Sequence, residues 1–191
     1  MPETFTQLVD EKHFHPFSPR ADEVHIEDIA RSLSNLCRFG GHVRAFYSVA
    51  EHSIHVSRLV EPEYALDGLL HDAAETYVGD IMSPVKDCTY FASFGLSPNP
   101  SCVRAEAMEF EILDKIADAL MWRRCLYSSY VGNVDPMDKR LTAHEARLLQ
   151  GGVKGWGEPY ESAEPLELAL ECWPSGAAAE PFLMRFWELM G

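Results

Sequence analysis

The feature that most constrains this chain is the spacing of its apolar residues, which recur every third or fourth position in one segment after another. Alternation in steps of two never persists beyond a few residues, so the chain buries helix stripes rather than sheet faces. Ile26, Ile29, Ala30, Leu33 and Leu36 line one face of a first helix that stops at Phe39-Gly40-Gly41. Ser48 reads as the N-cap of a second helix carrying Val49, His52, Ile54, Val56 and Leu59. Pro62 opens a third, with Leu66, Leu69, Leu70, Ala73, Ala74 and Tyr77, closed by Gly79. After a Pro- and Ser-rich loop over 80–100, with a short helical turn near Val85, a long amphipathic helix is predicted from about Ser101 to Trp122. Asp135-Pro136 starts another that runs to Leu149, and a last helix spans Ala177 to Met190. The fold class is therefore all-α, with five to seven helices and no strand.

At 191 residues and 47% apolar content the chain is long enough for one domain with its own core. Residues 1–24 read as an irregular arm on that domain, and 151–191 as a C-terminal extension ending in the final helix. A net charge of −14 argues against a duplex nucleic-acid surface, which needs clustered Lys and Arg, yet leaves room for a small anionic substrate. Five cysteines without a CxxC pair and no leader-like start fit reduced thiols in a cytoplasm. No apolar run approaches the roughly 20 residues of a membrane helix.

Chemistry enters with Leu69-Leu70-His71-Asp72-Ala73-Ala74, where two polar residues interrupt a strongly apolar stretch. Glu75 falls a turn after His71 on the same face, with Asp72 some 100° around. Burying His and Asp together costs several kcal/mol unless they find partners, and a metal ion is a partner that both can share. His52 on the second helix and Asp138 near the start of the fifth supply further ligands. Two imidazoles and two carboxylates form a mixed N/O set suited to Zn, Mn, Co, Fe or Ni, whereas calcium takes oxygens only. Asp135 competes with Asp138 for the last place, but it precedes a proline and serves as a helix cap.

The words Cys37-Arg38-Phe39-Gly40-Gly41-His42, Tyr47-Ser48-Val49-Ala50-Glu51-His52-Ser53 and His71-Asp72-Ala73-Ala74-Glu75, followed by Gly79-Asp80-Ile81 and Ser83-Pro84-Val85-Lys86, resemble the HD-domain phosphohydrolases. They are most similar to the branch that holds bacterial 5′-deoxynucleotidases and phage dATP triphosphohydrolases. The likeness runs from about His25 to Lys86 and resumes at Asp138 to Arg147, where Leu141, Ala143, Glu145, Ala146 and Arg147 fit. It implies a single HD-type helical bundle with metal ligands His52, His71, Asp72 and Asp138. It also implies Glu75 as acid/base group, Asp80 as a further site carboxylate, and Arg38 and Lys86 as phosphate-contacting cations.

The reaction so implied is hydrolysis of a deoxynucleoside triphosphate, dATP-like, to deoxynucleoside and triphosphate by a homo-oligomer; the alternative is a 5′-deoxynucleotidase acting on dNMPs. A di-iron oxygenase of the same fold would need histidines between His71 and the last aspartate, and none occurs before His144. A silent nucleotide-binding domain would be expected to have lost a ligand. His42, in a Gly-flanked loop, is read either as a substrate-phosphate contact or as a plain loop position, and Asp80 either as functional or as a cap after Gly79. His55 reads as solvated or supporting, Glu51 as a solvated face, and His13, His15, His25 and His144 as surface residues. Phe39, Tyr47 and Trp122 are core residues or base-stacking groups.

Overall fold

The computed structural model describes residues 4–93, 101–124 and 127–191. Helices α1 (Ile26–Asn35), α2 (Val49–Leu59), α3 (Ala65–Leu70), α4 (Glu75–Val78), α5 (Ser83–Lys86), α6 (Ala105–Leu120), α7 (Tyr127–Asn133), α8 (Asp135–Leu149) and α9 (Ala179–Met190) carry the fold. Two small antiparallel hairpins accompany them, β1 (Thr6–Gln7) with β2 (His13–Phe14) and β3 (Tyr90–Ser93) with β4 (Ser101–Arg104). The principal core is built from Ile29, Leu33, Ile54, Leu69, Leu70, Ile112, Ile116, Phe182 and Phe186, all sealed from solvent. It thus joins α1, α2, α3, α6 and α9. No helix among the described residues is long and apolar enough to cross a membrane.

Mostly helical architecture agrees with the periodicity, but several expectations are corrected. The hairpins were not expected, because strands of two and four residues are too short for alternation to register. The residues from Ser101 to Arg104, assigned to the long helix, pair instead with Tyr90–Ser93, so α6 begins at Ala105. It ends where Met121 turns left-handed at φ 51°. Among the described residues the nine helical segments exceed the expected five to seven because the third helix is divided and the short α5 and α7 stand apart.

The first helix stops at Asn35 rather than at the glycines. Leu36 is extended, its carbonyl accepts from the Val49 amide, and Cys37 bridges to Ser48. Gly40 instead serves the turn Arg38–Gly41, where Phe39 and Gly40 both take positive φ. Ser48 does cap α2, its hydroxyl accepting from the Glu51 amide at 3.1 Å.

Helices α2 and α3 meet closely at Gly68, where a Cβ would lie 3.1 Å from the Ser57 backbone. Only glycine permits that approach without displacement, and it brings the rings of His52 and His71 to 5.3 Å between centroids. The segment between α8 and α9 has no regular structure and is tied down by side chains. His144 donates from Nε2 to the Leu168 carbonyl and accepts at Nδ1 from the Leu166 amide, and Arg147 donates to the Tyr160 carbonyl.

Candidate metal centre

The third helix was expected to run unbroken from Pro62 to Gly79. Instead, the α-helical pattern lapses between Leu70 and Glu75, and the histidine explains why. A carbonyl can only accept, so His71 donates Nδ1–H to the Gly68 oxygen at 2.9 Å. That is the carbonyl which the Asp72 amide would take in a continuing α-helix. The amides of Ala73, Glu75, Thr76 and Tyr77 then bond three residues back, in a tightened turn that includes Asp72.

His71 Nε2 lies 3.1 Å from Asp72 Oδ2 and 4.0 Å from Asp138 Oδ1. His52 Nε2 lies 3.0 Å from Asp138 Oδ1 and 4.0 Å from Asp72 Oδ2. Ligand atoms of His52, His71 and Asp72 all fall within 4.8 Å of one another. The structure thus brings His52, His71, Asp72 and Asp138 together, while Asp135 turns away to Lys139 at 2.7 Å. Both imidazoles are buried, whereas Asp72 and Asp138 keep 20% and 25% of their side-chain surface in solvent. The carboxylate side is therefore the way in.

Whether these residues suit a metal ion is decided by the ring nitrogens. Both Nε2 atoms are buried without a hydrogen-bond partner, since their close carboxylate approaches lack hydrogen-bond alignment. Both Nδ1 atoms are engaged, His71 with Gly68 and His52 with Glu145 Oε1 at 2.7 Å. An acceptor on Nδ1 leaves the Nε2 lone pair of a neutral imidazole pointing at the carboxylates, which is how a histidine is presented to a metal. The fit is good.

Sequence reasoning gave no role to Glu145, which is completely buried and also accepts from Arg38 Nε at 3.1 Å and Tyr47 Oη at 2.8 Å. Burial works to raise its pKa, but His52, Arg38 and the donated hydrogen bonds hold it below the usual range. Thr142 was also missed; it accepts from Arg38 Nη2 and donates to Asp138 Oδ1. The signal was available, because Asp138, Thr142 and Glu145 stand at steps of four and three along α8 and so share a face.

Burial disfavours the charge of Arg38, but Glu145, Asp72, Asp138 and Asp80 together raise its pKa above the ordinary value. Its Nη1 faces Asp72 Oδ2 at 3.6 Å. Burial likewise opposes ionisation of Asp72 and Asp138, yet the neighbouring imidazoles hold both below the carboxylate norm. Glu75 behaves differently: burial, then Asp72 and Asp80, push its pKa well up, with Lys86 and Arg38 only partly opposing. Glu75 Oε2 and Asp80 Oδ2 are buried without hydrogen-bond partners. Lys86 sits 3.6 Å from Glu75 and 3.0 Å from Glu109, a carboxylate on α6 that the sequence reading did not single out.

Other positions differ from expectation. His42 is exposed, with its main chain bonded to Phe39 and Gln150. Glu51, read as solvated, is completely buried, and its carboxylate accepts from the Cys172 and Trp173 amides. His15 and His144, read as surface residues, are buried against Glu23 and against the Leu166–Leu168 backbone. Helical periodicity says nothing about what a non-helical segment covers. His55 is buried as well, beside Glu51 and Glu171. Tyr47 and Trp122 are buried, and Phe39 is partly so, packing near Trp156.

No family model matches the chain. It is 47% identical over 83 residues to the uncharacterised protein YfdR of Escherichia coli, which is 44% of this chain and 47% of that one. It is 33% identical over 95 residues to an uncharacterised protein of Rhodobacter capsulatus, 45% of this chain and 48% of the other. The chain thus spans about half the length of the curated relatives it matches.

Proposed function

We propose that this chain is a metal-dependent phosphohydrolase of the HD type acting on a deoxynucleotide, with a dATP-like triphosphate as substrate and deoxynucleoside and triphosphate as products. The observation that carries the reading is the convergence of two buried Nε2 atoms, neither with a hydrogen-bond partner, on Asp72 and Asp138. His52, His71, Asp72 and Asp138 would hold a divalent transition ion, which when bound supplies Lewis acidity toward water and phosphoryl oxygen.

The remaining steps belong to the chain's own groups. Glu145 and the Gly68 carbonyl orient the two imidazoles. Arg38 Nη1, beside Asp72, and Lys86, beside Glu75, offset charge on the phosphoryl oxygens. Water forms the new bond to the α-phosphorus and releases a proton to solvent, the bond from that phosphorus to the 5′ oxygen breaks, and the departing oxygen takes a proton. Glu75 is placed to donate it, because its raised pKa favours the protonated acid. Water thus attacks directly, with no covalent enzyme intermediate.

The test loads the purified chain with Mn²⁺, Co²⁺, Ni²⁺, Zn²⁺ or Fe²⁺ in turn and resolves the products from a panel of dNTPs and dNMPs. Deoxynucleoside and triphosphate from a dNTP are expected. Phosphate from dNMPs instead would assign the 5′-deoxynucleotidase reaction, and no hydrolysis with any of the metals would overturn the reading.

A further inference from the structure

A second group of possible ligands joins α2 to the segment before α9, formed by Glu51 and His55 on the helix and Glu171 on that segment. One ligand atom from each lies within 4.8 Å of the other two, and none is shared with the first group. His55 Nε2 is 3.2 Å from Glu171 Oε2 and 3.9 Å from Glu51 Oε1. The residue is 2% exposed, yet Nε2 has no hydrogen-bond partner, because neither carboxylate is aligned to accept from it. Close oxygens without hydrogen-bond geometry around a buried ring nitrogen are also what mark His52 and His71.

The Glu51 carboxylate is held in place by the backbone of the segment that carries Glu171. Cys172 takes a left-handed conformation, φ 53°, and the consecutive amides of Cys172 and Trp173 both donate to Glu51, at 2.8 and 3.0 Å. Each Glu51 oxygen accepts one such bond and keeps a lone pair free. A carboxylate fixed by hydrogen bonds is how an outer shell orients a metal ligand. Glu171 is 45% exposed, which gives an entry path and room for water to complete a coordination sphere.

We propose that Glu51, His55 and Glu171 form a second divalent-cation site, one imidazole and two carboxylates suited to Zn²⁺, Co²⁺ or Mn²⁺. Its ion clips the irregular 151–178 segment to α2 and stabilises the chain rather than turning over substrate. It does not depend on the phosphohydrolase reading.

The probe is Co²⁺ alone, titrated into the metal-free full chain by calorimetry, with bound metal counted after dialysis and the thermal midpoint recorded. Wild type should hold two equivalents. Glu171→Ala, which removes a half-exposed side chain and should fold, is expected to hold one and to lose part of the Co²⁺-induced rise in midpoint. His71→Ala/Asp72→Ala should also retain one equivalent, whose loss on adding Glu171→Ala would support the assignment. Equal stoichiometry in wild type and Glu171→Ala, or no more than one equivalent in wild type with Glu171→Ala unchanged, would overturn it. A single equivalent lost in Glu171→Ala but kept in His71→Ala/Asp72→Ala would support this site while contradicting the catalytic centre.

Discussion

Three residues apart on α2, His52 and His55 present the same bare ring nitrogen to carboxylates, but their surroundings differ. His52 faces carboxylates from the α3–α4 turn and α8, with Nδ1 held by a buried Glu145 that also anchors Arg38 and Tyr47. His55 faces a neighbour on its own helix and a half-exposed glutamate from a segment without regular structure. The first arrangement is fixed by packed helices, so its geometry is paid for by the fold. The second depends on how firmly the 151–178 segment lies down. A reacting centre needs the first kind of support, and a clip can do with the second.

The comparison breaks most directly at Asp72. Asp72→Ala should cost more than about 100-fold in metal affinity at the centre, beyond the range seen for outer-shell changes, and reduce hydrolysis to background in a steady-state assay. Glu75→Gln keeps His52, His71, Asp72 and Asp138 and removes the proposed proton donor. Turnover should fall by about 10²–10⁴ with bound metal unchanged, as for loss of a general acid, and unaltered turnover would remove Glu75 from the mechanism.

Glu145→Ala leaves Arg38 buried without its main partner, so chemical denaturation should show a loss of about 3–5 kcal/mol. The corresponding change at the second cluster, Glu171→Ala, should cost far less in the metal-free chain, because that carboxylate is half in water.

Protonation of His52 also couples stability to pH. Burial and Arg38 oppose protonation of His52, but Glu145 and Asp138 outweigh them, and in the metal-free chain its pKa is pushed up to about 9 from 6.5. A folded-state pKa above the unfolded one stabilises fully below pH 6.5 and is lost as pH rises through about 9. Thermal melts of metal-free protein should therefore decline across that window, and added metal, which competes with the proton, should raise the midpoint more at pH 9 than at pH 6.5. A flat metal-free profile would contradict the coupling.

Much of this was legible from residues alone. Polar His71 and Asp72 inside Leu69–Ala74 announced a polar pair set into the core, His71 buried and Asp72 partly so, and the cap at Ser48 set the start of α2. Less visible was anything that depends on a side chain replacing a backbone partner. The His71 bond to Gly68 divides the third helix, and no periodicity encodes it. Glu51 and His144 read as solvated or surface groups on helices, and only the segment folded over them shows otherwise. Four-residue strands carry too few positions for alternation to distinguish them from loop.

The most direct test of the central claim is anomalous-difference density from crystals grown with Mn²⁺ or Zn²⁺. An ion bonded to His52 Nε2, His71 Nε2 and oxygens of Asp72 and Asp138, at about 2.0–2.2 Å, is the expected result. Crystals in which that position holds no ion, with the four side chains unchanged at saturating metal, would contradict it.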